Sequence, residues 1–177
     1  MKKLMIVLAA VALAGAAQAA TMTWSALNMG AKDVEVGWLV ALYDSSTTFD
    51  YEQAKSGALT ALYTAAAQSS GTTIRVNSAG NNKPDGNPFA SGDSISVYAV
   101  VFNAATIADA TQVLISDAAS ATVGSAGNNI TVAFGNMSAT TTANKFYGKT
   151  WEPVPEPTSG LLMLVGLGAL ALRRRKA

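Results

Sequence analysis

The chain begins and ends in apolar runs flanked by cations, and only the middle is left to build a water-soluble core. Met1–Ala19 reads MKKLMIVLAAVALAGAAQA, with Lys2 and Lys3 before an apolar run from Leu4 to Leu13 and small residues after it. Ala17 and Ala19 form an A-x-A site, which completes the three parts of a secretory signal peptide cut by signal peptidase after Ala19. A cut after Ala20 would put Gln18 at the −3 position, a poorer fit to a small pocket. At the other end, Leu161–Leu172 carries no charge and is followed by Arg173, Arg174, Arg175 and Lys176. Counted from Thr158 the uncharged stretch has fifteen residues, about 22 Å as a helix against a hydrocarbon core of about 30 Å. The basic cluster supplies what length lacks. Cations after an apolar run stop transfer and stay cytoplasmic, and their long stems snorkel. Both ends then start on the cytoplasmic side. The precursor is a hairpin, anchored in the inner membrane by a transmembrane helix, with its middle exported.

Val154-Pro155-Glu156-Pro157-Thr158-Ser159-Gly160, the apolar helix and the Arg173–Lys176 cluster together closely resemble the PEP-CTERM sorting signal of Gram-negative bacteria. Pro-Glu-Pro alone is a weak tripeptide, but the full combination behind a signal peptide is specific. The resemblance covers residues 155–177 and says nothing of the middle. It implies recognition by an exosortase, a membrane cysteine protease-transpeptidase. Delivery to the cell surface or extracellular matrix would follow, in a setting that tends to include exopolysaccharide production. Proline holds the backbone before the helix extended, where a protease can reach it.

The middle, residues 20–154, holds six basic and ten acidic side chains, a net charge of −4 in a chain whose total is +1. This is no electrostatic footprint for nucleic acid. Cys and His are both absent. That excludes disulfide scaffolds, Cys/His zinc sites and every catalytic triad that needs an imidazole. Neither a cofactor nor a metal is expected. A segment of this size buries enough surface to fold without a staple.

Alternation marks the segment as mostly β. Val34, Val36, Trp38, Val40 and Leu42 alternate with Glu35, Gly37, Leu39, Ala41 and Tyr43; Ile95–Phe102 and Ile130–Gly135 repeat the pattern. Weaker strands are expected at Met22–Ala26, Thr72–Val76, Gln112–Ser116 and Lys145–Trp151. Asp50–Gln68, alanine-rich with Leu59, Leu62, Tyr63 and Ala66 at helical spacing, is expected as one helix, with Asp50 and Gln53 as a capping box. The resulting fold class is mainly β, a single β-sandwich with one inserted helix, the jelly roll being one such topology. Val36, Trp38, Val40, Val97, Val101, Val132 and Phe134 are the expected buried face. The pentapeptide SAGNN occurs at Ser78–Asn82 and Ser125–Asn129 and is read as one good turn sequence used twice.

Four features of the middle have residue types that can carry chemistry. Asp33 and Glu35, two apart on a strand, would share a face, but they read more simply as a solvated strand entry. Asn81, Asn82, Asp85 and Asn87 have oxygens for Ca²⁺, without EF-hand register and with Lys83 intruding, so a plain turn is the simpler reading. Among the aromatics, Trp38 and Tyr98 belong in the core, while Trp24, Tyr147 and Trp151 lie nearer the ends and are freer to face solvent or a sugar ring. Ser and Thr make up 30 of the 135 middle residues. Runs such as Ser45–Thr48 and Thr140–Thr142 suit O-glycosylation. Asn129-Ile130-Thr131 and Asn136-Met137-Ser138 match N-x-S/T, a weak signal in a bacterial setting. The expectation is an exported, non-enzymatic surface or matrix protein. The alternatives are a carbohydrate-binding module for exopolysaccharide and a small glycan-active enzyme working through carboxylates alone. Exposed aromatics on a sheet face would favour the first, and two carboxylates facing across a cleft the second.

Overall fold

The computed structural model describes residues 20–124 and 129–154. The expected signal peptide with Ala17 and Ala19, the Pro155–Pro157 motif, the apolar run and the Arg173–Lys176 cluster lie outside them, as does most of the second SAGNN. Ten strands follow one another: β1 (Met22–Leu27), β2 (Leu39–Asp44), β3 (Tyr63–Ala66), β4 (Gln68–Ser70), β5 (Thr73–Asn81), β6 (Ser94–Phe102), β7 (Gln112–Ile115), β8 (Ala119–Thr122), β9 (Ile130–Asn136) and β10 (Glu152–Pro153). A 3-10 turn (Met29–Lys32) follows β1, and a short helix α1 (Tyr51–Ser56) lies between β2 and β3. No helix among the described residues is long and apolar enough to cross a membrane.

The strands form two sheets, ordered β4-β5-β1-β9 and β10-β7-β6-β2-β3. β8 pairs with the first half of β6, on the same edge that β7 uses further along. The junction is held at Ser116: its N–H donates to the Ala99 carbonyl at 2.9 Å and its hydroxyl accepts from the Ala99 N–H at 2.8 Å. β1 and β9 run parallel, which sets this topology apart from the antiparallel jelly roll. One core lies between the sheets. Met22, Trp24, Ala26, Val76, Ile130, Val132 and Phe134 from the smaller sheet meet Val40, Leu42, Val97, Ala99, Val101 and Leu114 from the larger. Strict alternation puts Thr23, Ser25, Thr131 and Ala133 on the outer face of the smaller sheet. The larger sheet is apolar on both faces of β2 and β6. Its far side carries a second cluster, Ala41, Tyr43, Tyr98, Val100 and Phe102, covered by Tyr51 and Ala54 of α1 and by Ala110.

The long helix expected over Asp50–Gln68 is not there. Asp50 caps α1 through a hydrogen bond accepted from the Gln53 N–H at 2.8 Å, but Gly57, at φ 81°, ends it after six residues. A left-handed glycine directly after the last turn is a helix stop. The alanine-rich continuation becomes β3, which pairs with β2 from Leu39↔Ala66 to Leu42↔Tyr63. Helix propensity is worth tenths of a kcal/mol per residue, and the open edge of β2 outweighs it. The strand expected from Val34 starts only at Leu39, and Val36, expected in the core, is 58% exposed. The first SAGNN is no turn, because β5 runs through it to Asn81. Lys145–Trp151 forms turns rather than a strand.

Candidate functional site

The C-terminal end of the described chain is tied to the body up to its last residue. Glu152 and Pro153 pair with Val113 and Gln112 at the edge of the larger sheet, and the Val154 N–H donates to the Thr111 carbonyl at 3.0 Å. The root of this strap is Trp151. Its indole Nε1–H donates to the Lys32 carbonyl at 2.9 Å, and its ring meets Trp38 edge-on at 5.6 Å between centroids. Both rings are half-buried against the inter-sheet core. The Lys32 ammonium in turn donates to the Lys149 carbonyl at 2.9 Å, so the 3-10 turn after β1 and the final turns hold each other. β10 itself is light: both of its residues are exposed, and Pro153 has no N–H to give.

Beside the strap lies a surface depression of about 270 Å³. Val113, Ile115, Phe49 and Val154 contribute apolar lining, and Asp50, Glu52 and Glu152 bring carboxylates to it. The Asp50 carboxylate is engaged as the cap of α1. A second depression, of about 290 Å³, is lined by Asp44, Leu62, Lys83, Phe89 and Ser94–Ser96 among others.

The residues singled out in the middle segment are dispersed. Asp33 and Glu35 do not share a strand face. Asp33 ends the 3-10 turn at φ 60°, and both side chains are exposed in the loop before β2. The Asn82–Asn87 loop satisfies itself. The Asp85 carboxylate accepts from the Asn87 N–H at 2.9 Å and from its side-chain amide at 3.1 Å, which holds the Asp85 carboxyl below its usual range. Lys83 pairs with Asp93 at 2.7 Å. Of the aromatics left free to face solvent, Tyr147 is half exposed, Trp151 is the strap root, and Trp24 is fully buried. Trp38 is only half-buried, whereas Tyr98 is in the core as expected and stacks on Tyr43 at 5.8 Å. Phe49 packs edge-on against both Tyr43 and Phe102. Burial, with Tyr98 adding to it, pushes the Tyr43 hydroxyl up to about 12. Nothing in the sequence marked Glu152–Val154 as a strand. A two-residue strand has no period to read, and its pairing partner is forty residues away in the chain.

Neither the curated proteins nor the solved structures contain a match to this chain. The family model for the PEP-CTERM protein-sorting motif matches residues 153–176. Its match begins inside the strap, at Pro153, and continues through Pro155–Pro157 to the terminal cations. The β-rich body therefore runs directly into a PEP-CTERM sorting motif, which indicates an exported protein sorted by exosortase.

Proposed function

We propose that the protein is a non-enzymatic structural component of the cell surface or extracellular matrix. Signal peptidase releases its N-terminus after Ala19. Residues 155–177 hold it in the inner membrane until exosortase processes them, and the β-rich body then takes its place among secreted exopolysaccharide. The observation that carries this reading is the character of the exposed sheet face. Thr23, Ser25, Asn77 and Thr131 line the outside of the smaller sheet, and the Thr23 and Thr131 hydroxyls pair at 2.9 Å. The same habit recurs on the other sheet, where Ser94 pairs with Thr122 and Ser96 with Ser120, each at 2.8 Å. Arg75, exposed two residues before Asn77 on β5, is a charge on the same face, and the other side chains named are uncharged hydroxyls and an amide. Such faces suit a body that is displayed in a polysaccharide matrix without seizing one ligand. Trp38 and Trp151, and Phe49, Tyr43, Tyr98 and Phe102, pack instead onto one another, while Tyr147 stays half exposed.

Two experiments test the proposal. Replacing Pro155, Glu156 and Pro157 with Ala should leave export intact and keep the precursor in the inner membrane at full tail mass. Normal release of the triple variant would remove the sorting route. A glycan array probed with residues 20–154 should give no selective signal, and selective binding to one glycan class would replace the structural role with a carbohydrate-binding one.

A further inference from the structure

We propose that β10 is a releasable strap that regulates processing: exosortase acts on the tail only while Glu152–Val154 is detached from β7. This rests on the reading of the tail as an exosortase signal and adds a control to it.

The first observation is an overlap. The sorting motif begins at Pro153, yet Pro153 is paired with Gln112 and Val154 is hydrogen-bonded to Thr111. The first two residues of the motif are therefore part of the sheet edge, and an enzyme that reads the motif as extended chain competes with β7 for them.

The second observation is reach. Only six residues, 155–160, separate Val154 from the apolar run at Leu161. Fully extended they span about 20 Å. That chain length sets an upper bound on how far a closed body could stand from the apolar run. Releasing Glu152, Pro153 and Val154 lengthens the free chain to nine residues and about 30 Å.

The third observation is where release stops. The strap buries little and gives up few hydrogen bonds, while Trp151 just before it is fixed by Lys32 and Trp38. Peeling costs little up to Trp151, whose anchor holds the strap beside β7, so loosening that anchor favours the open strap while the body stays folded. Trp151 is a positioning residue in this scheme.

The absence of cysteine makes a direct test clean. Glu152 and Val113 are opposite one another in the ladder, and neither lies in the matched motif. The full-length chain carrying Glu152→Cys and Val113→Cys is expressed with exosortase, and tail processing is followed by mass in a pulse-chase. With the disulfide closed, processing should be lost. Reductant should restore it in the same molecules, and each single cysteine variant should process like wild type. Trp151→Ala, checked for folding by protease resistance, should be processed about fivefold faster or more, the factor that a loss of roughly 1 kcal/mol of anchoring represents. Wild-type processing of the disulfide-closed chain, or an unchanged rate in Trp151→Ala, overturns the strap. A wild-type chain that keeps its tail whether exosortase is present or not overturns the sorting route itself, a result distinct from either.

Discussion

Gly135 is the position where a single methyl group should do the most damage. β1 and β9 pair Ser25 with Ala133 and then Leu27 with Asn136, so β9 carries one residue more than β1 across this step. Gly135 sits in that bulge at φ 83°. A Cβ built there would lie 2.3 Å from the Ala143 carbonyl oxygen, well inside the 3.0 Å that real Cβ atoms respect. The obstructing segment is pinned. Asn144 is buried and donates to the Met137 and Ala139 carbonyls at 3.1 and 2.8 Å, while the Lys145 N–H donates to the Phe134 carbonyl at 2.9 Å. A left-handed conformation costs a non-glycine residue about 1–2 kcal/mol. Moving the segment away leaves at least one buried polar group unpaired, for about 1–3 kcal/mol more. Gly135→Ala should therefore cost about 2–5 kcal/mol, reaching the upper end of single-residue effects. Gly57 is the matched control, because its φ is 81° and nothing lies within 4 Å of its Cβ position. Gly57→Ala should cost only the backbone part, about 1 kcal/mol. Urea unfolding of residues 20–154, followed by tryptophan fluorescence at constant m-value, measures both. Two variants equally destabilised, within about 0.5 kcal/mol, would show that the Ala143 segment yields freely and that the argument from packing is wrong.

Residues 20–154 alone should fold as a soluble, cooperative, β-rich unit, with Ala20 as the N-terminal residue of the exported protein; a helical circular-dichroism spectrum, or dependence on Leu161–Leu172 for solubility, would contradict this. The Tyr43, Tyr51, Tyr63 and Tyr98 hydroxyls are all raised, chiefly by burial. Folding therefore holds their protons more tightly than the unfolded chain does, and the stability this contributes is complete below about pH 10 and lost as pH rises towards 12. An ultraviolet phenolate titration of the folded protein should lag that of the urea-unfolded chain, and coincident curves would refute it. Trp38→Ala should cost about 2–4 kcal/mol, towards or below the low end for core tryptophan because the ring is half-buried. A double-mutant cycle with Trp151→Ala should return a coupling of about 0.5–1.5 kcal/mol for the edge-on pair, and additive effects would show that the two rings act independently.

The strands that could be read in advance were those whose surroundings repeat. Ile130, Val132 and Phe134 face the core and Thr131 and Ala133 face solvent, because a sheet with one wet face writes its period into the residues. β6 was legible for the opposite reason, being apolar on both faces between two covered layers. The site resisted such reading. Asp33 and Glu35 alternate correctly, but the chain turns there at Met29–Lys32 before it can pair. Alternation is necessary for a half-buried strand and does not create a neighbouring strand to bond to.

What the sequence determined by itself is the address and the class of body. Charge and apolarity at the ends, and Pro155-Glu156-Pro157 between body and tail, are local properties that an export and sorting machinery reads from an extended chain. The two-residue period likewise needs only one buried face. Tertiary structure alone decided the rest: that Tyr63–Ala66 joins β2 instead of extending α1, that Trp24 is enclosed, that β9 lies parallel to β1, and that Glu152–Val154 closes the edge of the larger sheet. Each of these is set by a partner far along the chain, and a free hydrogen-bonding edge or an unfilled core outweighs the tenths of a kcal/mol per residue by which local preference speaks.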